Sequence, residues 1–375
     1  MYATFMHELG HALGLDHNND RQSIMTGGIN FWKHFGPWQG DHADLRDLYP
    51  LRTGNRLRLL ESDDGGATWR RVNNDVTNLG SSDARTTHSP TAAGDRNAAR
   101  YLLGWTTPRN RFTWLRTNGR AASDWQIFGG GPEAMFGSAM AAGASNTFLW
   151  AIVTVDGDDR RLRMLRSRND GAGWHYVNFP NVQTYGRPGL AFTEVAGRDA
   201  WVAVWGNYDR SSRDQTGYLY ASVSFDNGTT WSQPQAVNTF YKLHDGVSID
   251  CNLNNQCLLG FVWGGESGTF AYGQNRLRFM RVELDLANDR LHRIATCYPS
   301  MRSRIAPGIA YDDAANRFIV GVREQDFNTS QGVMRTNGFG CPGPFSHLPN
   351  SSTHVAPDAA SHRFFDESVF WSAHE

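Results

Sequence analysis

The stretch Ser224-Phe225-Asp226-Asn227-Gly228-Thr229-Thr230-Trp231 decides how most of this chain folds. Its pattern, Ser-x-Asp-x-Gly-x-Thr-Trp, occurs in full again at Ser62–Trp69 and in a weaker form at Ser167–Trp174. The Ser and Asp side chains suit a tight turn because they hydrogen-bond nearby backbone N–H groups. Glycine supplies a positive φ angle, and tryptophan can pack the turn onto the sheet. Each copy therefore predicts a β-hairpin turn.

Degenerate copies of this pattern fill the intervals between the clear ones. Aligned on the serine position, the copies lie at 62, 117, 167, 224, 283 and 336, a recurrence of about 55 residues. A period of this length is typical of propellers and solenoids. Each period also contains a strongly apolar segment, such as Ala200–Trp205. Near-continuous apolar runs indicate inner strands that are buried on both faces.

The two ends of the repeat region complement each other. Residues 57–72 contain only an outer hairpin, and residues 353–373 contain only inner strands. Joined, they complete a sixth blade, which closes the ring and leaves no free sheet edge. The repeated turn resembles the Asp-box of sialidase-like propellers. We therefore predict a mainly β chain with a six-bladed Asp-box β-propeller over residues 51–375; an open series of β-sandwich sheets is the alternative.

A second pattern lies near the start of the chain. The segment His7-Glu8-Leu9-Gly10-His11-Ala12-Leu13-Gly14-Leu15-Asp16-His17 matches H-E-x-x-H-x-x-G-x-x-H at every fixed position. On a helix, His7 and His11 lie on one face and can bind one metal ion. Gly14 can end or turn that helix, which lets His17 return as a third ligand. Three imidazole nitrogens leave one position open for water, as in a catalytic Zn²⁺ site.

This segment resembles the active-site helix of the metzincin zinc proteases. Met25 lies eight residues after His17, which is similar to the Met-turn of the matrixin branch. Residues 39–50 indicate a short helix that resembles the last helix of a matrixin catalytic domain. By the same resemblance Asp41 would brace the Met-turn; capping of its own helix is the equally good alternative.

The resemblance implies a zinc metalloendopeptidase that hydrolyses peptide bonds in proteins or peptides. Zn²⁺ would be its cofactor, and Glu8 would act as the general base on a zinc-bound water. The propeller would bind substrate, a glycan or a matrix component. The alternative is a non-proteolytic propeller binding module, or a sialidase-like glycosidase, with a vestigial zinc segment.

A sialidase would need a cluster of arginines for its substrate carboxylate. Arg187, Arg304 and Arg323 are the nearest candidates, and we interpret them as ordinary solvated charge. Fold alone does not transfer function.

Residues 1–50 match only the C-terminal half of such a catalytic domain, a small helical zinc-binding subdomain. We expect Met1 to be a truncated start, with the signal peptide of a secreted protein lost upstream. The chain as written is then expected to be a weak or inactive protease, because catalysis needs positioning as well as a metal.

Composition narrows the remaining choices. The net charge is −1, which does not suggest a nucleic-acid partner, and no run of 18 apolar residues predicts a membrane span. The four cysteines form an even set that fits an oxidising compartment. Cys251 and Cys257 flank a turn and could bridge a hairpin, and Cys297 and Cys341 could form a second pair; spacing alone does not fix the connectivity.

Overall fold

The computed structural model describes residues 55–374 except for gaps within that range. The gaps are 63, 65–66, 72–84, 87, 95–100, 108–110, 118–124, 130, 133–136, 145, 157–158, 185, 208–216, 239–242, 264–275, 304, 324–329, 353–357 and 363–366. Every regular element in this part is a β-strand, and no membrane-spanning helix occurs in it. The helical subdomain predicted for residues 1–50 lies outside the described residues.

Twenty-three strands precede the last pair and follow the predicted repeat. Three of them open the described chain: β1 (Asn55–Ser62), β2 (Arg70–Arg71) and β3 (Arg85–Thr86). The next twenty form five four-stranded antiparallel sheets, each from one continuous segment. These first to fifth blades consist of β4 (Thr91–Gly94), β5 (Tyr101–Thr106), β6 (Phe112–Thr117), β7 (Trp125–Phe128); β8 (Ser138–Ala142), β9 (Phe148–Asp156), β10 (Asp159–Ser167), β11 (His175–Tyr176); β12 (Gly189–Val195), β13 (Arg198–Gly206), β14 (Leu219–Ser224), β15 (Gln235–Asn238); β16 (Leu243–Cys251), β17 (Gln256–Trp263), β18 (Arg276–Asp285), β19 (Arg290–Cys297); and β20 (Gly308–Asp312), β21 (Arg317–Arg323), β22 (Ser330–Arg335), β23 (Ser346–Ser352).

One further sheet, the terminal sheet, joins the two ends of the repeat region. Its late strands are β24 (Asp358–His362) and β25 (Glu367–His374). Strand β1 pairs antiparallel with β25 from Arg56↔His374 to Ser62↔Ser368. Strands β2 and β3 both pair with β1, and β24 pairs with β25. The structure is therefore a mainly β propeller with five blades of continuous sequence, and strands from both ends pair as predicted.

The first strand of each blade is its inner strand, and neighbouring inner strands contact one another: β4 with β8, β8 with β12, β12 with β16, and β16 with β20. The backbone N–H of Met140 donates to the Thr91 hydroxyl at 2.8 Å, and the Thr193 hydroxyl donates to the carbonyl of Asn252 at 2.6 Å. Because the inner strands lie side by side, they all begin on one face, the front face. They end on the opposite face, the box face, which carries the Asp-box turns.

The apolar segments predicted as buried are the second strands of the blades. All six residues of β5 are buried, and in β13 every residue from Ala200 to Gly206 is buried. Trp105, Trp150, Trp201 and Trp205 are among the largest fully buried side chains. Burial of each such ring contributes about 2–3 kcal/mol, so these strands hold the blades together.

Candidate functional site

The residues predicted to form the zinc site all lie outside the described part of the chain. They are the ligands His7, His11 and His17, the base Glu8, and the supporting Gly14, Met25 and Asp41. Their roles stay predictions. Within the described propeller, no group of three or more His, Cys, Asp or Glu side chains could hold a metal ion.

The Asp-box turns have the hydrogen bonds that their sequence predicts. The Asp226 carboxylate accepts the N–H groups of Thr229 at 3.0 Å and Thr230 at 2.8 Å. It also accepts the hydroxyl of Ser224 at 2.8 Å. Partial burial raises the pKa of Asp226, but these bonds and that of the Thr230 hydroxyl lower it overall. The box aspartate is therefore a charged anchor of the turn.

The same turns connect each blade to the preceding one. Gly171 of the second-blade turn packs on Leu102, and its carbonyl accepts the indole N–H of Trp114 at 2.9 Å. Gly228 of the third-blade turn packs on Leu149 of the second blade. A Cβ at either glycine would lie 2.6–2.7 Å from a leucine methyl carbon. The box face is thus dominated by packing between blades.

Arg187 lies on the front face, where the inner strands of three blades meet. It is only 5% exposed, so our interpretation of this residue as solvated charge is wrong. Its Nε donates to the carbonyl of Ser138 at 3.1 Å, and its own carbonyl accepts the N–H of Val247 at 2.9 Å. These bonds connect the second, third and fourth blades. Arg323 is half-buried at the end of β21, and Arg304 lies outside the described residues.

An aromatic and cationic stack marks the front end of the fourth blade. The Arg278 guanidinium lies 5.1 Å from the ring centroid of Trp263 and 5.0 Å from that of Tyr298. Arg278 is 5% exposed, whereas Tyr298 is 62% exposed. Cation–π attraction of this kind is strongest where water is excluded. The buried cation therefore holds an exposed tyrosine ring in place.

A cleft of about 520 Å³ begins directly after Tyr298, between the fourth and fifth blades. Its walls come from two segments and one strand residue: Pro299, Ser300, Met301, Arg302, Met334, Pro342, Gly343, Pro344 and Phe345. The Cys297–Cys341 disulfide joins the two segments just outside the cleft, and the second disulfide is Cys251–Cys257. Both pairings are those that the sequence suggested.

This arrangement is suited to binding. Prolines and a disulfide restrict the walls, so little conformational entropy is lost when a ligand enters. Phe345 and Met301 supply apolar surface, and the exposed Arg302 and Ser300 supply hydrogen-bond donors. The volume falls within the range of known ligand pockets, which is about 300–1,000 Å³.

Tyr298, Arg278 and Trp263 were missed by sequence reasoning. The one available signal was the concentration of prolines, Pro299, Pro342 and Pro344, beside the two cysteines that pair here.

Comparisons with known proteins agree with two separate parts of this picture. The model of the matrixin peptidase family matches residues 1–50. No curated protein matches the chain.

Among solved structures, a protein of unknown function from Dyadobacter fermentans is similar, with a TM-score of 0.52 and 13% identity over 76% of this chain and 94% of that one. An α-L-arabinofuranosidase from Fusarium graminearum has a TM-score of 0.49 and 12% identity over 76% of this chain and 92% of that one. The Aleuria aurantia lectin has a TM-score of 0.49 and 12% identity over 76% of this chain and 88% of its own. At this level of identity the first likeness shows a shared fold and nothing about function.

Proposed function

We propose that the propeller is a carbohydrate-binding module, and that its ligand occupies the front-face cleft beside Tyr298. One observation carries this proposal: Tyr298 is 62% exposed yet held by the buried guanidinium of Arg278 at 5.0 Å. A large ring that is fixed in place but open to solvent gives contact area at a low cost in conformational entropy.

The chemistry of the cleft matches that of a sugar. The C–H face of a sugar ring can stack on the open part of Tyr298. Its hydroxyl groups can accept hydrogen bonds from Arg302, which is exposed on the cleft wall. Phe345 lies on the opposite segment and offers a second apolar contact. Such a site combines apolar surface with a few polar groups that fix orientation.

Binding to a panel of immobilised oligosaccharides, followed by calorimetry with the tightest binder, tests this function. Tyr298→Ala is expected to weaken that binding about tenfold or more, because a central aromatic contact is lost. Arg302→Gln is expected to weaken it less, since the amide still donates hydrogen bonds.

Tyr218→Ala is the matched control. Tyr218 is also exposed, at the front end of the third blade, and lies outside the cleft. Wild-type affinity in Tyr298→Ala, or the absence of any bound oligosaccharide from the panel, would refute the proposed function.

We also propose that the terminal sheet is the sixth blade of a closed ring, carried by residues 51–375. Its inner strand β24 contacts both β20 and β4, the same relation that joins each other pair of neighbouring inner strands. Pairing of β1 with β25 then closes the ring with strands from both ends.

A second candidate function is supported by the match of the matrixin model to residues 1–50. The donor set of His7, His11 and His17 fits Zn²⁺, which would supply Lewis-acid activation of water for peptide hydrolysis. Glu8 would accept the proton of the attacking water and pass it to the leaving amine. In this role the propeller would bring glycan-bearing or matrix substrates to a secreted metalloendopeptidase, and the two disulfides fit that compartment.

Metal analysis and casein digestion test this second function, with Glu8→Ala as the variant. Bound zinc together with loss of cleavage by the full-length gene product would support it. Equal cleavage by the Glu8→Ala protein would sink it. The 375-residue chain by itself is expected to cleave casein weakly or not at all.

A further inference from the structure

The Asp-box turn of the second blade differs from the others in charge and not in shape. Asn169 occupies the position of the box aspartate. Its side-chain oxygen accepts the N–H of Gly173 at 2.9 Å and the hydroxyl of Ser167 at 2.8 Å. These are the bonds that Asp226 makes in the third blade. The turn is therefore kept while its negative charge is absent.

A pocket of about 350 Å³ lies at this turn on the box face. Arg166, Arg168, Asn169, Gly173, His175 and Tyr176 line it. Arg168 and His175 are exposed, and Tyr176 is 60% exposed. The pocket thus places basic side chains and an open aromatic ring around a neutral amide.

The charges in this pocket are close enough to interact. Burial and, second, the positive charge of Arg168 lower the pKa of Arg166, while the Asp226 carboxylate raises it. Arg166 is fixed in place because it donates to the carbonyl of Asn227 at 3.0 Å and to the Thr229 hydroxyl at 2.5 Å. A fixed guanidinium beside a second, exposed one is a suitable arrangement for an oxyanion.

We propose that this second-box pocket binds the sulfate or carboxylate group of an acidic polysaccharide. Arg168 and Arg166 would hold the oxyanion, and Tyr176 would contact the sugar that carries it. The ring favours a polysaccharide over a free ion, because a free ion would make no use of it. This site lies on the face opposite the front-face cleft and goes beyond the carbohydrate-binding function proposed there.

Fluorescence anisotropy of the full chain with labelled dextran sulfate, polygalacturonate and neutral dextran tests the proposal. At low salt we expect at least one acidic polymer to bind and neutral dextran not to bind. Dextran sulfate alone would identify a sulfate site, and binding of polygalacturonate would identify a carboxylate site. Raising the salt concentration should weaken binding, because the site is exposed.

Two variants make the test specific. Asn169→Asp restores the carboxylate that the other boxes carry, so the turn should fold, and binding should fall about tenfold or more. Arg168→Gln should also lower it about tenfold, through loss of a charge-assisted bond. The matched control is Arg163→Gln, an exposed arginine on the same strand but outside the pocket; it should bind within about twofold of wild type.

Wild-type affinity in both Asn169→Asp and Arg168→Gln, or equally tight binding of neutral dextran, would overturn the proposal. Thermal unfolding of each variant confirms that the propeller is intact, and Arg168→Gln keeps the test decisive if Asn169→Asp does not fold. Failure here is distinct from failure of the front-face cleft, because that site is tested with Tyr298→Ala and a different ligand.

Discussion

The two faces of the propeller are held by different kinds of contact. On the box face, side chains bond backbone groups a few residues away, as Asp226 does with Thr230. On the front face, the contacts join distant parts of the chain. Arg187 bonds the backbone of Ser138, 49 residues earlier, and Arg278 lies against rings from two other strand ends.

This difference separates repetition from specialisation. A local turn can be copied from blade to blade, because all its partners travel with it. A long-range contact depends on one particular pair of blades, so it occurs once and can shape a single cleft. We therefore expect damage to the front face to affect a specific site, and damage to the box face to affect the packing between neighbouring blades.

The largest expected effect comes from the two disulfides, one near each face. Cys297–Cys341 links the fourth blade to the fifth across 44 residues, whereas Cys251–Cys257 closes a hairpin of 6 on the box face. Because a longer closed loop restricts the unfolded chain more, replacing Cys297 and Cys341 by serine should lower the free energy of unfolding by about 4 kcal/mol. The same change at Cys251 and Cys257 should lower it by about 2 kcal/mol.

Guanidinium denaturation of the two double variants measures this difference. Equal losses, or a larger loss for the hairpin bridge, would show that the front-face bridge does not hold the blades together. The first variant should also weaken ligand binding in the front-face cleft, since its two walls would no longer be joined.

Much of the fold could be predicted from the sequence because its signals are local. The box turns use bonds within four residues, such as those from the N–H groups of Ala67 and Thr68 to Asp64. A short window of sequence contains every partner of such a turn. The apolar runs of the second strands are equally local, since both faces of those strands are buried.

The candidate site could not be predicted, because its partners are brought together only by the fold. Arg187 looked like surface charge, and nothing near it in the chain indicates that a carbonyl in another blade accepts its Nε–H. The stack of Trp263, Arg278 and Tyr298 combines three strand ends. The motif that was most informative about chemistry, His7 to His17, lies outside the described residues, so its role stays a prediction.

A pair of glycine substitutions tests whether the box face is a packing surface between blades. Gly228 and Gly197 have nearly the same φ angle, +71° and +72°. A Cβ at Gly228 would lie 2.7 Å from Leu149 Cδ1, whereas a Cβ at Gly197 would meet nothing within 4 Å. Gly228→Ala combines strain with a clash and should cost about 3 kcal/mol. Gly197→Ala has the strain alone and should cost about 1 kcal/mol.

Urea denaturation of the two variants gives the comparison directly. If both lost the same free energy of unfolding, the contact with Leu149 would contribute nothing, and the box turns would be ornaments of single blades.

The smallest expected effect is a dependence of stability on pH that belongs to the box face. Partial burial raises the pKa of Asp64, but hydrogen bonds from the backbone and hydroxyl of Thr68, from Ser62 and from Ala67 lower it to about 2, below the usual 3.8. The pKa of Asp226 is lowered for similar reasons. A carboxyl with a lowered pKa in the folded state stabilises the fold above its unfolded pKa, and this contribution is lost as the pH falls through the folded value.

Stability of the wild-type protein should therefore fall as the pH is lowered from about 4 to about 2. Asp64→Asn and Asp226→Asn should each reduce this dependence, because an amide keeps the turn bonds and does not titrate. Asn169 shows that the turn accepts the amide. Thermal unfolding measured across this pH range provides the test. An unchanged pH dependence in the double variant would mean that the box carboxylates are not responsible, and that the acid response arises elsewhere in the propeller.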